Sequence, residues 1–156
     1  MDWGIVARGL HVVAVVVWIG GVWFVTTVLL PRLQHERPDT WIEEFRAIER
    51  RFGAQARACV AVVLLSGLYM LYAYRMWNRF TQAAFWWMHV MIGVWLLFAV
   101  LLFAVEPIAS HRQIGQRAAG NPRRALGRVL ALHRLLLALS IVAVFVSICG
   151  AHGLFY

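Results

Sequence analysis

The chain contains no lysine, although it carries 15 basic residues against seven acidic ones. Arginine therefore supplies all of the fixed positive side-chain charge, and the formal net charge is +8. A basic total is compatible with nucleic-acid binding, but here the arginines lie mainly between long apolar runs. We therefore expect no nucleic-acid partner and interpret the charge as a signal of membrane topology and of attraction to anionic lipid.

Cysteine is also scarce, with Cys59 and Cys149 as its two occurrences. Each lies near an end of an apolar run, and the two ends are expected on opposite sides of a membrane. A disulfide needs Cα atoms within about 7 Å, so we predict no disulfide between them. Both are expected to be small packing residues.

Charged residues make up 14% of the chain and hydrophobic residues 62%. The apolar residues gather in four blocks, and each is long enough to cross a hydrocarbon core of about 30 Å as a helix. The sequence therefore predicts an all-α integral membrane bundle of four transmembrane helices, a single domain over residues 1–156. The predicted helices cover about 4–30, 54–74, 85–105 and 128–150.

The first block is too long for the apolar core of a cleavable signal peptide. We expect Pro31 to end the first helix, because proline interrupts helical hydrogen bonding. A capping box then begins at Thr40 with Glu43. Apolar side chains from Trp41 to Phe52 recur on one helical face. The sequence predicts a short interfacial helix on the cytoplasmic surface over about 40–52.

The arginines are distributed unevenly between the two sides of the predicted helices. Ten lie in the first and third loops, and three lie at the N-terminus or in the second loop. Since cytoplasmic loops are enriched in basic residues, we expect both termini outside a bacterial-type inner membrane. The three arginines expected on the outer side are Arg8, Arg75 and Arg79.

Two histidines, His11 and His89, lie inside the apolar blocks. From the predicted inner ends of their helices, they lie roughly 28 Å and 26 Å along the helix axis. An ionisable side chain at membrane depth is by default a candidate functional residue. Two neutral imidazoles at one depth can ligate a haem iron from opposite sides, so the pair is a candidate haem b site.

The neighbours of both histidines suit a flat cofactor. Gly93 follows His89 by one helical turn and leaves room for a macrocycle, and Trp18 lies on the face of His11 and can pack on a porphyrin. The alternative is that each histidine hydrogen-bonds a backbone carbonyl near the membrane boundary. The candidate partners of haem propionates are the cationic side chains of Arg8, Arg75 and Arg79.

Two further histidines offer weaker alternatives. His152 is a rival partner for His11 or His89. His133 shares a helical stripe with Ser140 and Ser147, which is compatible with a second haem, proton or quinone site. The simpler interpretation of the stripe is that its hydroxyls bond their own i−4 carbonyls.

Methionine provides a competing hypothesis based on copper. Thioethers and imidazoles are Cu(I) ligands, and Met88 and Met91 flank His89. A copper-transport or copper-delivery protein would use these groups with His11. The alternative for the methionines is adaptable packing against the tryptophans.

Several short motifs carry a family resemblance that extends over most of the chain. Leu10-His11, Trp18-Ile19-Gly20-Gly21 and Pro31-Arg32-Leu33 resemble the first helix of CopD and HemJ-type membrane proteins. Ile48-Glu49-Arg50-Arg51-Phe52 resembles the Met-Glu-Arg-Arg stretch before helix two of HemJ-type protoporphyrinogen oxidases. Trp86-Trp87-Met88-His89 resembles the Trp-x-His opening of their helix three.

The resemblance implies a haem b-binding helical bundle with His11 as a ligand, linked to haem biosynthesis or to copper uptake. HemJ-type enzymes also carry a lysine shortly after the helix-three histidine, whereas this chain has Val90 and Met91 there. That departure argues against protoporphyrinogen oxidation and makes His89 a replacement ligand. We expect electron transfer between quinone and an outer-face partner, with other membrane subunits or a second copy as further partners. The alternatives are copper transport and a HemJ-like oxidase without the lysine.

Overall fold

The computed structural model describes residues 2–36, 41–105 and 122–155. Within these ranges every regular element is helical, which confirms the all-α prediction. The α-helices are α1 (Trp3–Phe24), α2 (Leu30–Glu36), α3 (Trp41–Ala73), α4 (Trp86–Val100) and α5 (Pro122–Ala151). Two π-helical segments, Val25–Leu29 and Leu101–Val105, and two 3-10 segments, Met76–Thr81 and Ala83–Phe85, lie between or beside them.

Four helical stretches are long and apolar enough to cross a membrane, which indicates a multi-pass membrane protein. We name them spans one to four, and their order matches the four predicted transmembrane helices. They are Trp3–His35, Arg50–Ala73, Ala83–Val105 and Arg124–Ala151.

The prediction that Pro31 ends the first helix is wrong. The helical path passes through Pro31 to Glu36, and a π-helical segment precedes it. Leu30 N–H donates to Val25 O, five residues back. Proline lacks an N–H and its ring crowds the preceding turn, and the wider π turn is the local adjustment found beside such interruptions.

The segment from Trp41 to Phe52 is not a separate helix, because it continues into span two as part of α3. Gly53 lies within that helix without breaking it. Thr40, the predicted cap, lies outside the described residues, as does the predicted third loop (about 106–128) up to residue 121. The last part of that predicted loop is helical instead, because α5 begins at Pro122. After Ala73, Arg75 adopts the left-handed conformation with φ 52°, and 3-10 turns lead to span three.

Spans one and two pack antiparallel along most of their length. Gly4 lies against the Tyr74 side chain near one end, and Gly21 lies against the Phe52 ring near the other. A Cβ atom at Gly4 would overlap the Tyr74 side chain, and one at Gly21 would overlap the Phe52 ring. The two helices therefore approach each other closely at both glycines. His11 lies between these two contacts in sequence, opposite Ser66 and Gly67 in the last third of span two.

All four spans contribute side chains to one buried cluster, which contains Trp18, Val22, Ala56, Val60, Phe98, Leu136 and Leu137. Trp18 of span one meets Phe98 of span three edge-on, with ring centroids 4.6 Å apart. Trp95 Nε1 donates to Val60 O of span two at 3.0 Å. These contacts set the level and the rotation of span three relative to its neighbours.

Candidate functional site around His11

His11 is half-buried and hydrogen-bonded across the interface between spans one and two. Its Nδ1 lies 3.0 Å from Ser66 Oγ, and Ser66 Oγ donates to Val62 O at 2.6 Å. A serine hydroxyl has one proton, and Ser66 uses it on Val62. With the Ser66 proton on Val62, the hydrogen bond to Ser66 assigns the His11 proton to Nδ1, and in that tautomer Nε2 carries an unshared electron pair.

Gly67 lies beside the imidazole on span two. A Cβ atom built at Gly67 would be 3.5 Å from His11 Cε1, in ordinary van der Waals contact. Neither Ser66 nor Gly67 was singled out from the sequence, because a serine in an apolar helix usually bonds its own i−4 carbonyl. The feature that could have identified them is the antiparallel pairing of two consecutive helices, which places Ser66 opposite His11.

His11 and His89 lie at similar levels along the membrane axis. The Trp18–Phe98 contact provides a common reference for spans one and three. His11 precedes Trp18 by seven positions and His89 precedes Phe98 by nine. At about 1.5 Å per residue, these steps are roughly 10 Å and 13 Å in the same direction.

The two histidines nevertheless point to different sides. Nine helical positions separate His89 from Phe98. They make about two and a half turns, so the two side chains point to opposite sides of the helix. Because Phe98 faces Trp18, His89 faces away from span one; it is exposed and meets the Phe80 ring edge-on at 5.6 Å. The structure does not bring His89 beside His11.

Trp18 and Gly93, the predicted cofactor neighbours, lie in contrasting environments. Trp18 is 5% exposed, and its Nε1 is buried without a hydrogen-bond partner among the described residues. Gly93 is exposed, and a Cβ built there would meet nothing within 4 Å. Of the two adjacent glycines in span one, Gly21 lies close to span two, whereas Gly20 has open space beside it.

The three arginines expected on the outer side, Arg8, Arg75 and Arg79, lie near the same end of the molecule as His11. The Arg8 guanidinium is 5.4 Å from the centre of the Tyr74 ring, and that of Arg79 is 4.8 Å from the centre of the Phe85 ring. Arg75 adopts the left-handed backbone conformation between spans two and three. Ring stacking orients a guanidinium and leaves its edge donors available to an anionic group.

His133 and His152 bond their own helix. Each Nδ1 lies within 3 Å of the carbonyl four residues earlier, at 2.9 Å for His133 and 2.8 Å for His152. Ser140 and Ser147 also donate to their i−4 carbonyls, which confirms the simpler interpretation of those hydroxyls. Each of these four side chains therefore has a hydrogen-bond partner within its own helix.

The candidate copper groups of span three do not share one face. Met88 is buried, His89 is exposed and Met91 is half-buried. Met88 and Met91 are three residues apart, about 60° around the helix, so they share a face, whereas His89 lies about 100° from Met88 and about 160° from Met91. Among the described residues, no three histidine, cysteine or acidic side chains are grouped so as to hold a metal ion. Cys59 and Cys149 are both free.

Comparison with family models, with curated proteins and with solved structures found no match to this chain.

Proposed function

We propose that the protein is a haem b-binding membrane protein that transfers electrons, in which His11 would hold the haem iron. The observation that supports this most directly is the chain of hydrogen bonds from His11 through Ser66 to Val62. This arrangement favours the tautomer protonated at Nδ1, in which Nε2 can coordinate a metal. The motif resemblance to CopD and HemJ-type proteins points to the same histidine.

The residues around His11 fit the role of a metal-ligating histidine. Such a histidine usually donates its other ring N–H to an oxygen, which fixes the ring and raises its basicity. Ser66 supplies that oxygen, and Gly67 lies beside the ring on the same helix as Ser66. A bound haem b would supply one-electron transfer through its iron, and the protein would supply the ligand, its orientation and a surrounding of low polarity.

His89 is the proposed second ligand, and its geometry sets a condition on that role. It lies at the level of His11, but span three would have to turn by about half a turn to direct it inward. A second copy of the chain can instead present its exposed His89 without that rotation. Arg8 and Arg79, already oriented by aromatic rings, are the proposed propionate partners.

The arginine distribution supports a proposal for which side of the membrane each end of the spans faces. We place the arginine-rich ends of spans one, two and four in the cytoplasm of a bacterial-type cell, with both termini outside. The first turns of α3 would then lie at the cytoplasmic surface. Labelling of single cysteines introduced near Asp2 and Arg128 tests this, since an impermeant reagent should reach only the first from outside.

Visible spectroscopy of protein purified in mild detergent tests the haem proposal. We expect a b-type spectrum in the wild-type protein and loss of bound haem in His11→Ala. His133→Ala is the matched control, because that imidazole bonds its own helix, and it should retain the spectrum. A colourless wild-type protein from cells with ample haem, or an unchanged spectrum in His11→Ala, would refute the proposal.

A further inference from the structure

A groove of about 430 Å³ lies between spans one and four, toward their arginine-rich ends. Span one contributes Thr26, Thr27 and Pro31 to its wall. Span four contributes the stripe Arg134, Leu137, Ala138 and Ile141, which repeats at helical spacing. The groove is distinct from the surroundings of His11.

Polarity changes along the groove in one direction. Arg134 is exposed and lies six residues, roughly 9 Å, farther along span four than Arg128. Beyond Arg134 the wall on span four is apolar as far as Ile141. A site with a cation at one end and an apolar wall beyond it suits an amphiphile with its head toward the arginine-rich end.

The two threonines do not add hydrogen-bond donors to the groove. Thr26 Oγ1 donates to Val22 O at 2.6 Å, and Thr27 Oγ1 donates to Trp23 O at 2.8 Å. Their protons are therefore used within span one. The Arg134 guanidinium, with its fork of N–H groups, is the cationic donor that the groove presents.

We propose that this groove binds an anionic phospholipid, with its phosphate on Arg134 and an acyl chain along Leu137, Ala138 and Ile141. Guanidinium and phosphate form charge-assisted, often bidentate hydrogen bonds. An arginine among lipid chains is costly without such a partner, and the apolar wall covers the chain below the headgroup. This proposal does not depend on haem binding.

Native mass spectrometry of the detergent-solubilised chain tests the proposal by lipid titration. We expect one phosphatidylglycerol to bind more tightly than phosphatidylcholine with the same acyl chains. Arg134→Gln should weaken phosphatidylglycerol binding by about tenfold or more, the usual effect of losing a charged hydrogen bond. Arg128→Gln is the matched control, because it removes the same charge from the same helix about 240° around the axis.

A second variant, which keeps Arg134, tests whether the groove binds the acyl chain of the lipid. Ala138→Phe should fill the groove and weaken binding of phosphatidylglycerol, while inorganic phosphate should not displace the lipid. Equal binding by wild type and Arg134→Gln, or by the two lipids, would overturn the headgroup assignment. An unchanged affinity in Ala138→Phe would overturn the acyl-chain assignment. Displacement by inorganic phosphate would show a site for free anions instead.

Discussion

Gly150→Ala should destabilise the contact between spans three and four. A Cβ atom at Gly150 would overlap the Trp87 indole at Cδ1, Nε1 and Cγ. Cγ is the atom nearest the backbone in that ring, so rotation of the ring tip does not relieve the overlap. Trp87 is also 7% exposed, and its neighbours limit any larger shift.

Two opposing effects determine how much Gly150→Ala changes the free energy of unfolding. Overpacking a tight interface costs about 1–3 kcal/mol. Alanine in place of glycine in a helix gains at most about 1 kcal/mol, and less near a helix end. The free energy of unfolding should therefore fall by about 1–2 kcal/mol. Gly127→Ala, on the same helix with nothing within 4 Å of its added Cβ, should leave stability unchanged or raise it.

Reversible unfolding in mixed detergent micelles, followed by circular dichroism, measures both variants. A double-mutant cycle with Trp87→Leu isolates the pair, because Gly150→Ala should cost much less once the indole is gone. The reasoning is refuted if Gly150→Ala is as stable as Gly127→Ala, or if its cost is unchanged in the Trp87→Leu background.

Three further predictions concern individual side chains. Trp95→Phe should lower the free energy of unfolding by about 0.5–1.5 kcal/mol more than Trp18→Phe. The first variant loses a hydrogen bond, whereas the second removes an N–H that has no partner among the described residues. Unfolding in mixed micelles compares the two. Arg75→Gly should raise the melting temperature, since a left-handed residue with a Cβ costs about 1–2 kcal/mol, and an unchanged or lower value would contradict this. Ser66→Ala should shift the reduction potential of a haem on His11 by roughly 40 mV, the one-electron equivalent of about 1 kcal/mol, and redox titration against wild type would show no shift if Ser66 does not bond the ligand.

The four spans could be predicted from the sequence because crossing a bilayer requires long apolar helices, and such runs are visible directly. The continuation of the helices through Pro31 and past Phe52 could not be predicted from the sequence. A proline signals a lost hydrogen bond, but neighbouring turns decide whether the helix stops or adapts through a π turn. Likewise, the change from an amphipathic to an apolar segment before Gly53 marks a change of surroundings, and α3 passes through it unbroken.

The depth of the two histidines along their helices could be predicted from the sequence, but the side of the helix that each faces could not. Depth follows from counting residues at a constant rise. Direction requires the rotation of each helix, which a polar face usually reveals. Nearly every residue from Trp86 to Val100 is apolar, so periodicity gives no preferred face for α4. Ser66 could not be identified from the sequence because its contact with His11 depends on how spans one and two pair.

The rotation of span three decides how His89 can act. Phe98 against Trp18 and Trp95 against Val60 both hold this span with His89 on its exposed side. Ligation of one iron by His11 and His89 of the same chain would break those contacts, so Trp95→Phe should then favour haem binding. Ligation by His89 of a second copy would leave them intact, and the bis-histidine spectrum should then be lost when the protein is diluted to monomers. The dependence of the spectrum on protein concentration therefore distinguishes the two arrangements.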